Sequence, residues 1–176
     1  MSGTYNPMPE STYEAIFKYA GEASTSKGKP CINITLVLRN DVDQPYKNKF
    51  IWESLYHRKE ETRTEEDLKY EGYSAKRINQ ISKAAGIENH ANVGTIEDWC
   101  RSLKGKCVRV TTVNEEFNGK VSEKVKWFNE TKFPVCNHIW KGEETKAAAP
   151  APAAVVTPPP VAKKTAYKEE DVPFDA

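Results

Sequence analysis

The stretch from Cys31 to Asn40 constrains this chain more than any other. Ile32, Ile34, Leu36 and Leu38 alternate with Asn33, Thr35 and Arg39. A period of two marks a half-buried strand, because successive side chains of a strand point to opposite faces of a sheet. Two neighbouring stretches suit the same state. Thr12 to Ala23 carries Tyr13, Ile16, Phe17 and Tyr19, with apolar residues on both faces. Lys49 to Tyr56 sets Ile51 and Leu55 on one face and Phe50, Trp52 and Tyr56 on the other. Between the first two strands, Gly21 to Pro30 is rich in Gly, Ser, Thr and Lys and reads as a loop.

The pattern then changes. His57 to Gly72 is crowded with charge and offers little to bury, which predicts a mobile excursion. Tyr73 to Ala85 places Ile78, Ile81, Ala84 and Ala85 at helical spacing, with Gly86 to end the helix. Thr95 to Leu103 predicts a second short helix, with Thr95 as cap and Asp98 three residues on, the acidic variant of a capping box. Cys107 to Asn114 and Val121 to Asn129 are two further strands, and Asn118-Gly119 between them is the strongest short hairpin signal. The order strand, strand, strand, helix, strand, strand predicts a mainly β fold: a five-stranded OB-fold-like Greek-key barrel with helices between strands 3 and 4. An open α+β sheet is the alternative.

From Lys146 the composition shifts abruptly to Pro and Ala, with no Leu, Ile or large aromatic residue before Tyr167. Such a segment buries too little to offset its ordering entropy, and proline favours an extended spacer. The expected organisation is a domain over 1–141, a disordered linker over 142–167 and an acidic tip over 168–176. Residues 142–176 hold four Lys against six Asp/Glu, a net of −2, which leaves 22 basic and 19 acidic residues, a net of +3, on 1–141. A mildly basic body with an acidic end fits a polyanion binder whose tail does something else. No apolar run approaches the length of a membrane span. The first residues, Met-Ser-Gly-Thr-Tyr-Asn, have neither the basic start nor the apolar stretch of a secretory signal. The chain is therefore expected in the cytoplasm, away from membranes.

No catalytic constellation stands out. The phosphate-binding glycine loop, the serine elbow and the paired-histidine zinc helix are all absent. His57, His90 and His138 are scattered, and the pairs Glu60-Glu61, Glu65-Glu66 and Glu115-Glu116 are chain neighbours that read as solvated charge. Cys31, Cys100, Cys107 and Cys136 form no CxxC pair and are read as reduced thiols. Zinc held by Cys100, Cys107, Cys136 and His138 stays open as an alternative. So does a nuclease built from distant carboxylates. The expectation is a chain that is no enzyme and uses no cofactor or metal.

The strand faces carry a better signal. If Val108 and Val110 point inward, Arg109 and Thr111 point out. If Val121, Val125 and Trp127 form the inner face of the last strand, Lys124, Lys126 and Phe128 form its outer face. Trp52 and Tyr56 lie opposite Ile51 and Leu55, and Arg39 ends the polar face of the second strand. Lys27, Lys29, Phe117 and Lys120 occupy the loops that flank an OB barrel's groove. Cations meet phosphates, and flat aromatics stack on unpaired bases. The candidate contact residues are therefore Lys27, Lys29, Arg39, Trp52, Tyr56, Arg109, Phe117, Lys120, Lys124, Lys126 and Phe128.

Two resemblances sharpen this expectation. The ordered segments Pro7–Ala15, Ile32–Leu36, Ile51–Leu55, Leu103–Val110, Phe117–Lys120 and Val125–Phe128 resemble a family of bacteriophage single-stranded DNA-binding proteins. That resemblance implies an OB-like core and largely sequence-independent binding of single-stranded DNA in phage replication or recombination, in the host cytoplasm. The last residues, Glu169-Glu170-Asp171-Val172-Pro173-Phe174, resemble the C-terminal tip of bacterial single-stranded DNA-binding proteins, which recruits replication and repair enzymes. It implies that Phe174 enters an apolar pocket on a replication or recombination protein, with basic residues meeting the acidic run. In the bacterial tips the Phe is terminal, whereas here Asp175 and Ala176 follow it. A non-catalytic adaptor that acts through its tail is the rival reading.

Overall fold

The computed structural model describes residues 5–87 and 94–141. The chain divides into two units, Met1–His138 and Ile139–Ala176. The acidic tip, Glu169 to Phe174, and the Pro/Ala stretch lie outside the described residues, as does His90.

The first unit is mainly β. Its five strands are β1 (Thr12–Ser24), β2 (Pro30–Leu38), β3 (Phe50–Tyr56), β4 (Cys107–Phe117) and β5 (Lys120–Glu130). Among the described residues, three short helices fall between β3 and β4: α1 (Glu65–Lys69), α2 (Ala75–Ala84) and α3 (Ile96–Leu103). The strands form one antiparallel sheet in the order β3-β2-β1-β4-β5. Its central strand is β1, which pairs with β4 through Thr12–Ile16 and with β2 through Ala15–Ser24.

Local chemistry accounts for the turns. Asn118 and Gly119 both take positive φ, 53° and 74°, the two-residue turn that matches strand twist, and Phe117 pairs with Lys120 across it. Thr95 caps α3 and shares a capping box with Asp98, as the sequence predicts. The charged stretch after β3 is more ordered than expected. It forms a 3-10 turn at Glu60–Thr62 and then α1. Asp67 explains the difference: its buried carboxylate accepts from the amides of Thr64 at 2.9 Å and Ala75 at 2.7 Å. One acidic residue thus completes the capping box of α1 with Thr64 and fixes the approach to α2, and a simple count of charges hides that role.

The core lies between the inner face of the sheet and helices α2 and α3. Ile32, Ile34, Leu36, Ile51, Val108, Val110 and Val125 meet Ile78, Ile81, Trp99 and Leu103. Trp99 is a packing residue, as expected, and its indole N–H donates to Ser82 Oγ at 2.8 Å.

The sheet is open, since no backbone ladder joins β3 to β5 among the described residues. Side chains bridge the gap. Glu53 of β3 accepts from the Val125 amide at 2.9 Å, and Arg77 of α2 donates to the carbonyls of Val125 and Lys126 at 2.6 and 3.1 Å. Lys49, just before β3, pairs with Glu123 of β5 at 2.6 Å.

Two bulges break the strand alternation. On β1 the register moves from Phe17 opposite Leu36 to Tyr19 opposite Thr35, leaving Lys18 as the extra residue. On β5 Val125 lies opposite Thr112 and Trp127 opposite Thr111, leaving Lys126 extra. The second bulge reverses the expected facing of β5. Trp127, expected in the core, is 48% exposed, and Phe128, expected as an outward contact, is buried against Phe17 with parallel rings 6.1 Å apart.

Candidate nucleic-acid interface

The outer face of β1–β2–β3 carries an unusual set of side chains. Tyr19, Thr35 and Trp52 form one row across the three strands, and Gly21, Asn33 and Ser54 form the next. Trp52 is 62% exposed and lies parallel to Phe50, with 5.8 Å between ring centroids and 12° between planes. The Lys18 ammonium sits 4.7 Å over the Phe50 ring, within range of cation–π attraction. Tyr56 continues the same face at the far end of β3 and is also exposed.

Tyr19 reaches this face through two features of β1. The bulge at Lys18 turns both Lys18 and Tyr19 outward. Gly21 then leaves room for the ring: a Cβ at that position would overlap the Tyr19 hydroxyl. The tyrosine therefore lies along the sheet surface, filling the space another side chain would take.

Hairpin tips carry the expected loop residues. The β1–β2 loop is closed by Thr25 N–H to the Lys29 carbonyl and Gly28 N–H to the Thr25 carbonyl, both 2.8 Å, with Gly28 at φ 74°. Lys27 and Lys29 are exposed on it. Phe117, 76% exposed, and Lys120 flank the β4–β5 turn. On the outer side of β4 and β5, Lys126 is exposed while Arg109 and Lys124 are half-buried.

Two predicted contacts lie elsewhere. Phe128 belongs to the core, for the reason given above. Arg39 is fully buried, and all five of its donors are taken by protein. Its guanidinium forks onto Asp41 at 2.9 and 2.5 Å and donates to the carbonyls of Phe133 and Val135, both at 2.7 Å, and to Thr131 Oγ1 at 3.3 Å. It fastens residues 131–135, which follow β5, onto the end of β2. The Asp41 fork outweighs the effect of burial and holds the Arg39 guanidinium above its ordinary pKa.

A second ionic knot holds the N-terminal arm. Glu123 accepts from Lys49 at 2.6 Å, from the Met8 amide at 2.8 Å and from the Tyr5 hydroxyl. Burial alone would raise its carboxyl pKa. The Lys49 ammonium and the two other donors outweigh burial and bring it down to about 2.

The residues missed by sequence reading are Lys18, Tyr19 and Phe50. Lys18 and Tyr19 depend on a bulge, which a period-two pattern does not reveal. Alternation sets Phe50 correctly opposite Ile51 but does not show it as the partner of Trp52. Among the described residues no three His, Cys, Asp or Glu side chains converge to hold a metal ion. All four cysteines are free thiols: Cys31 and Cys100 are buried, Cys107 is half-buried and Cys136 is exposed.

What remains at the surface is a set of flat, exposed rings with lysines beside them. It suits a planar, negatively charged chain.

The family model for a protein of unknown function, DUF669, matches residues 1–145. The chain belongs to the DUF669 family. No curated protein matches it. The matched region ends one residue before the shift in composition at Lys146, so the DUF669 portion carries the whole aromatic face, and the Pro/Ala stretch and acidic tip lie beyond it. No helix among the described residues is long and apolar enough to cross a membrane.

Proposed function

We propose that this chain binds single-stranded DNA with little sequence preference and catalyses nothing, as the resemblance to phage single-stranded DNA-binding proteins implies. The observation that carries the reading is the row of Tyr19 and Trp52 on the outer face of β1–β2–β3, with Phe50 parallel to Trp52 and the Lys18 ammonium over the Phe50 ring. Exposed rings accept unstacked bases whatever their identity, and each stacked base contributes about 1–3 kcal/mol. The lysines supply phosphate contacts whose strength falls with salt.

The strand order β3-β2-β1-β4-β5, with helices after β3 and side chains bridging β3 to β5, supports an OB-fold-like Greek-key barrel. In that reading the β1–β2 and β4–β5 loops flank the groove and bring in Lys27, Lys29, Phe117 and Lys120. The tip Glu169–Phe174 recruits a replication or recombination protein while the body coats the strand.

Titration of fluorescent oligo-dT with the full chain tests the proposal. Micromolar or tighter binding at low salt is expected, weakening steeply as salt rises. Trp52→Ala should reduce affinity by roughly 5- to 150-fold, the equivalent of one stacked base. Absence of binding at low salt with high micromolar protein would overturn the proposal. Intact binding in a Trp52→Ala, Tyr19→Ala double variant would overturn the assignment of this face.

A further inference from the structure

Adjacent residues of a regular strand face opposite ways, so a cation and an aromatic ring next to each other in sequence cannot normally serve the same surface. A bulge removes that restriction. This sheet has two bulges, and both carry the same pair of residue types: Lys18-Tyr19 on β1 and Lys126-Trp127 on β5. All four side chains are exposed. The first pair belongs to the face already described. The second pair lies on the other side of the sheet order, in the row Thr12–Thr111–Trp127.

The row beside it is Glu14–Arg109–Asn129. Arg109 walls two clefts. One, about 500 Å³, lies among β1, β4 and residues 129–133. The other, about 360 Å³, lies between α2 and β4–β5, where Lys83 shares the wall with Arg109. The Nε of Arg109 is buried and has no partner within the protein. Acidic residues divide the two clefts. The larger holds Asp43 and Glu14, although the Glu14 carboxylate is taken up by the Lys132 amide at 3.0 Å and the Thr131 hydroxyl. The smaller sets Lys83 and Arg109 against Glu130 alone, with the Gln80 and Asn129 amides beside them.

We propose a second nucleotide-binding tract on β4, β5 and α2, distinct from the β1–β2–β3 face. It rests on the single-stranded DNA reading above. Trp127 stacks one base. Lys126 and Arg109 hold flanking phosphates, and the smaller cleft, with Lys83 opposite Arg109, receives the backbone as it passes. A strand that engages both tracts covers more of the protein than one lying on the first face alone, so the second tract sets the binding length.

The test is fluorescence anisotropy with a ladder of oligo-dT lengths spanning about 4–16 nucleotides and beyond, the range of one such domain. The proteins are the full chain, Trp127→Ala and Arg109→Gln. Both variants should bind short oligonucleotides as the parent does, lose about tenfold on long ones, and reach their plateau at a shorter length. Arg109→Gln should also lower the salt slope on long oligonucleotides by about one, while Trp127→Ala leaves the slope unchanged. Parental affinity at every length in both variants would overturn the tract. Equal losses on short and long oligonucleotides would also overturn it, because the residues would then belong to the first face. A parent that binds no oligonucleotide at all is a different result: it removes the DNA reading itself.

Discussion

Glu123 offers a sharp test of how the sheet is held together across its open edges. Its carboxylate lies inside, on β5, and joins the N-terminal arm through Met8 and Tyr5 to the residue before β3 through Lys49. Its pKa falls from an ordinary 4.5 to about 2, because the three donors outweigh burial. Lowering a pKa by one corresponds to about 1.4 kcal/mol, so the charged form contributes about 3 kcal/mol at neutral pH. The folded pKa lies below the unfolded one. The contribution is therefore complete above pH about 4.5 and is lost as pH falls toward about 2. By pH about 3, roughly 2 kcal/mol of it should be gone.

Urea unfolding at pH about 7 and about 3 measures the loss, and Glu123→Gln isolates it. Other carboxyls also contribute to the acid response. Asp67 is held low by the Thr64 and Ala75 amides, and Asp41 by Arg39 and the Asn137 amide against the effect of burial. Both remain in the variant, so the difference between the two proteins belongs to Glu123. The variant should be less stable at neutral pH and should lose about 2 kcal/mol less than the parent on acidification. Equal acid losses in parent and variant would refute the argument.

Four further outcomes follow from the same structure. Arg39→Met strands the Asp41 carboxylate and frees residues 131–135, and should cost about 3–5 kcal/mol by denaturant unfolding, as expected for breaking a buried ion pair from one side. Gly21→Val should displace Tyr19 and weaken oligo-dT binding severalfold while leaving the melting temperature within a few degrees, since position 21 faces away from the core. Iodoacetamide should label the exposed Cys136 first in the native protein, with Cys100 protected until unfolding, because burial pushes the Cys100 thiol up to about 12; peptide mass mapping reads the order. Deleting residues 142–176 removes a net charge of −2 and should tighten oligonucleotide binding, most at low salt; the same affinity in both proteins across a salt series would exclude competition between tail and DNA.

Much of the fold was legible because most of it obeys simple periods. Ile32 to Leu38 alternate and form β2; Ile78, Ile81 and Ala84 repeat helically and form α2; Asn118-Gly119 makes the hairpin its chemistry demands. The failures share a physical cause. A bulge inserts one residue without changing composition, so Trp127 and Phe128 exchange faces with no mark in the local pattern. Arg39 reads as a surface cation because, although Asp41 is close in sequence, the groups that complete its burial, the carbonyls of Phe133 and Val135, lie more than ninety residues away. Asp67 disappears into a charged run because its role depends on the amide of Ala75, eight residues on. On the candidate face, the outward placing of Trp52 and Tyr56 was legible from alternation, whereas that of Tyr19 required both a bulge and a glycine two residues later.

The same irregularities bear on function. Burying aromatic rings stabilises a fold, so a sequence selected for stability alone would keep Tyr19, Trp52 and Trp127 inside or replace them with polar residues. Here the core already has its aromatic pair in Phe17 and Phe128, and bulges turn Tyr19 and Trp127 outward beside a lysine. Phe50, Trp52 and Tyr56 lie on β3, an outermost strand of the sheet, where an exposed apolar surface invites association between copies. Lys18 over Phe50 puts charge on that surface. A protein partner would favour rings gathered into a packed apolar patch bounded by polar groups; rings laid flat with cations beside them favour a ligand with flat bases on a repetitive anionic backbone. That contrast separates the DNA reading from the adaptor reading, because the adaptor places recognition in the tail and leaves the exposed rings of the body without a use.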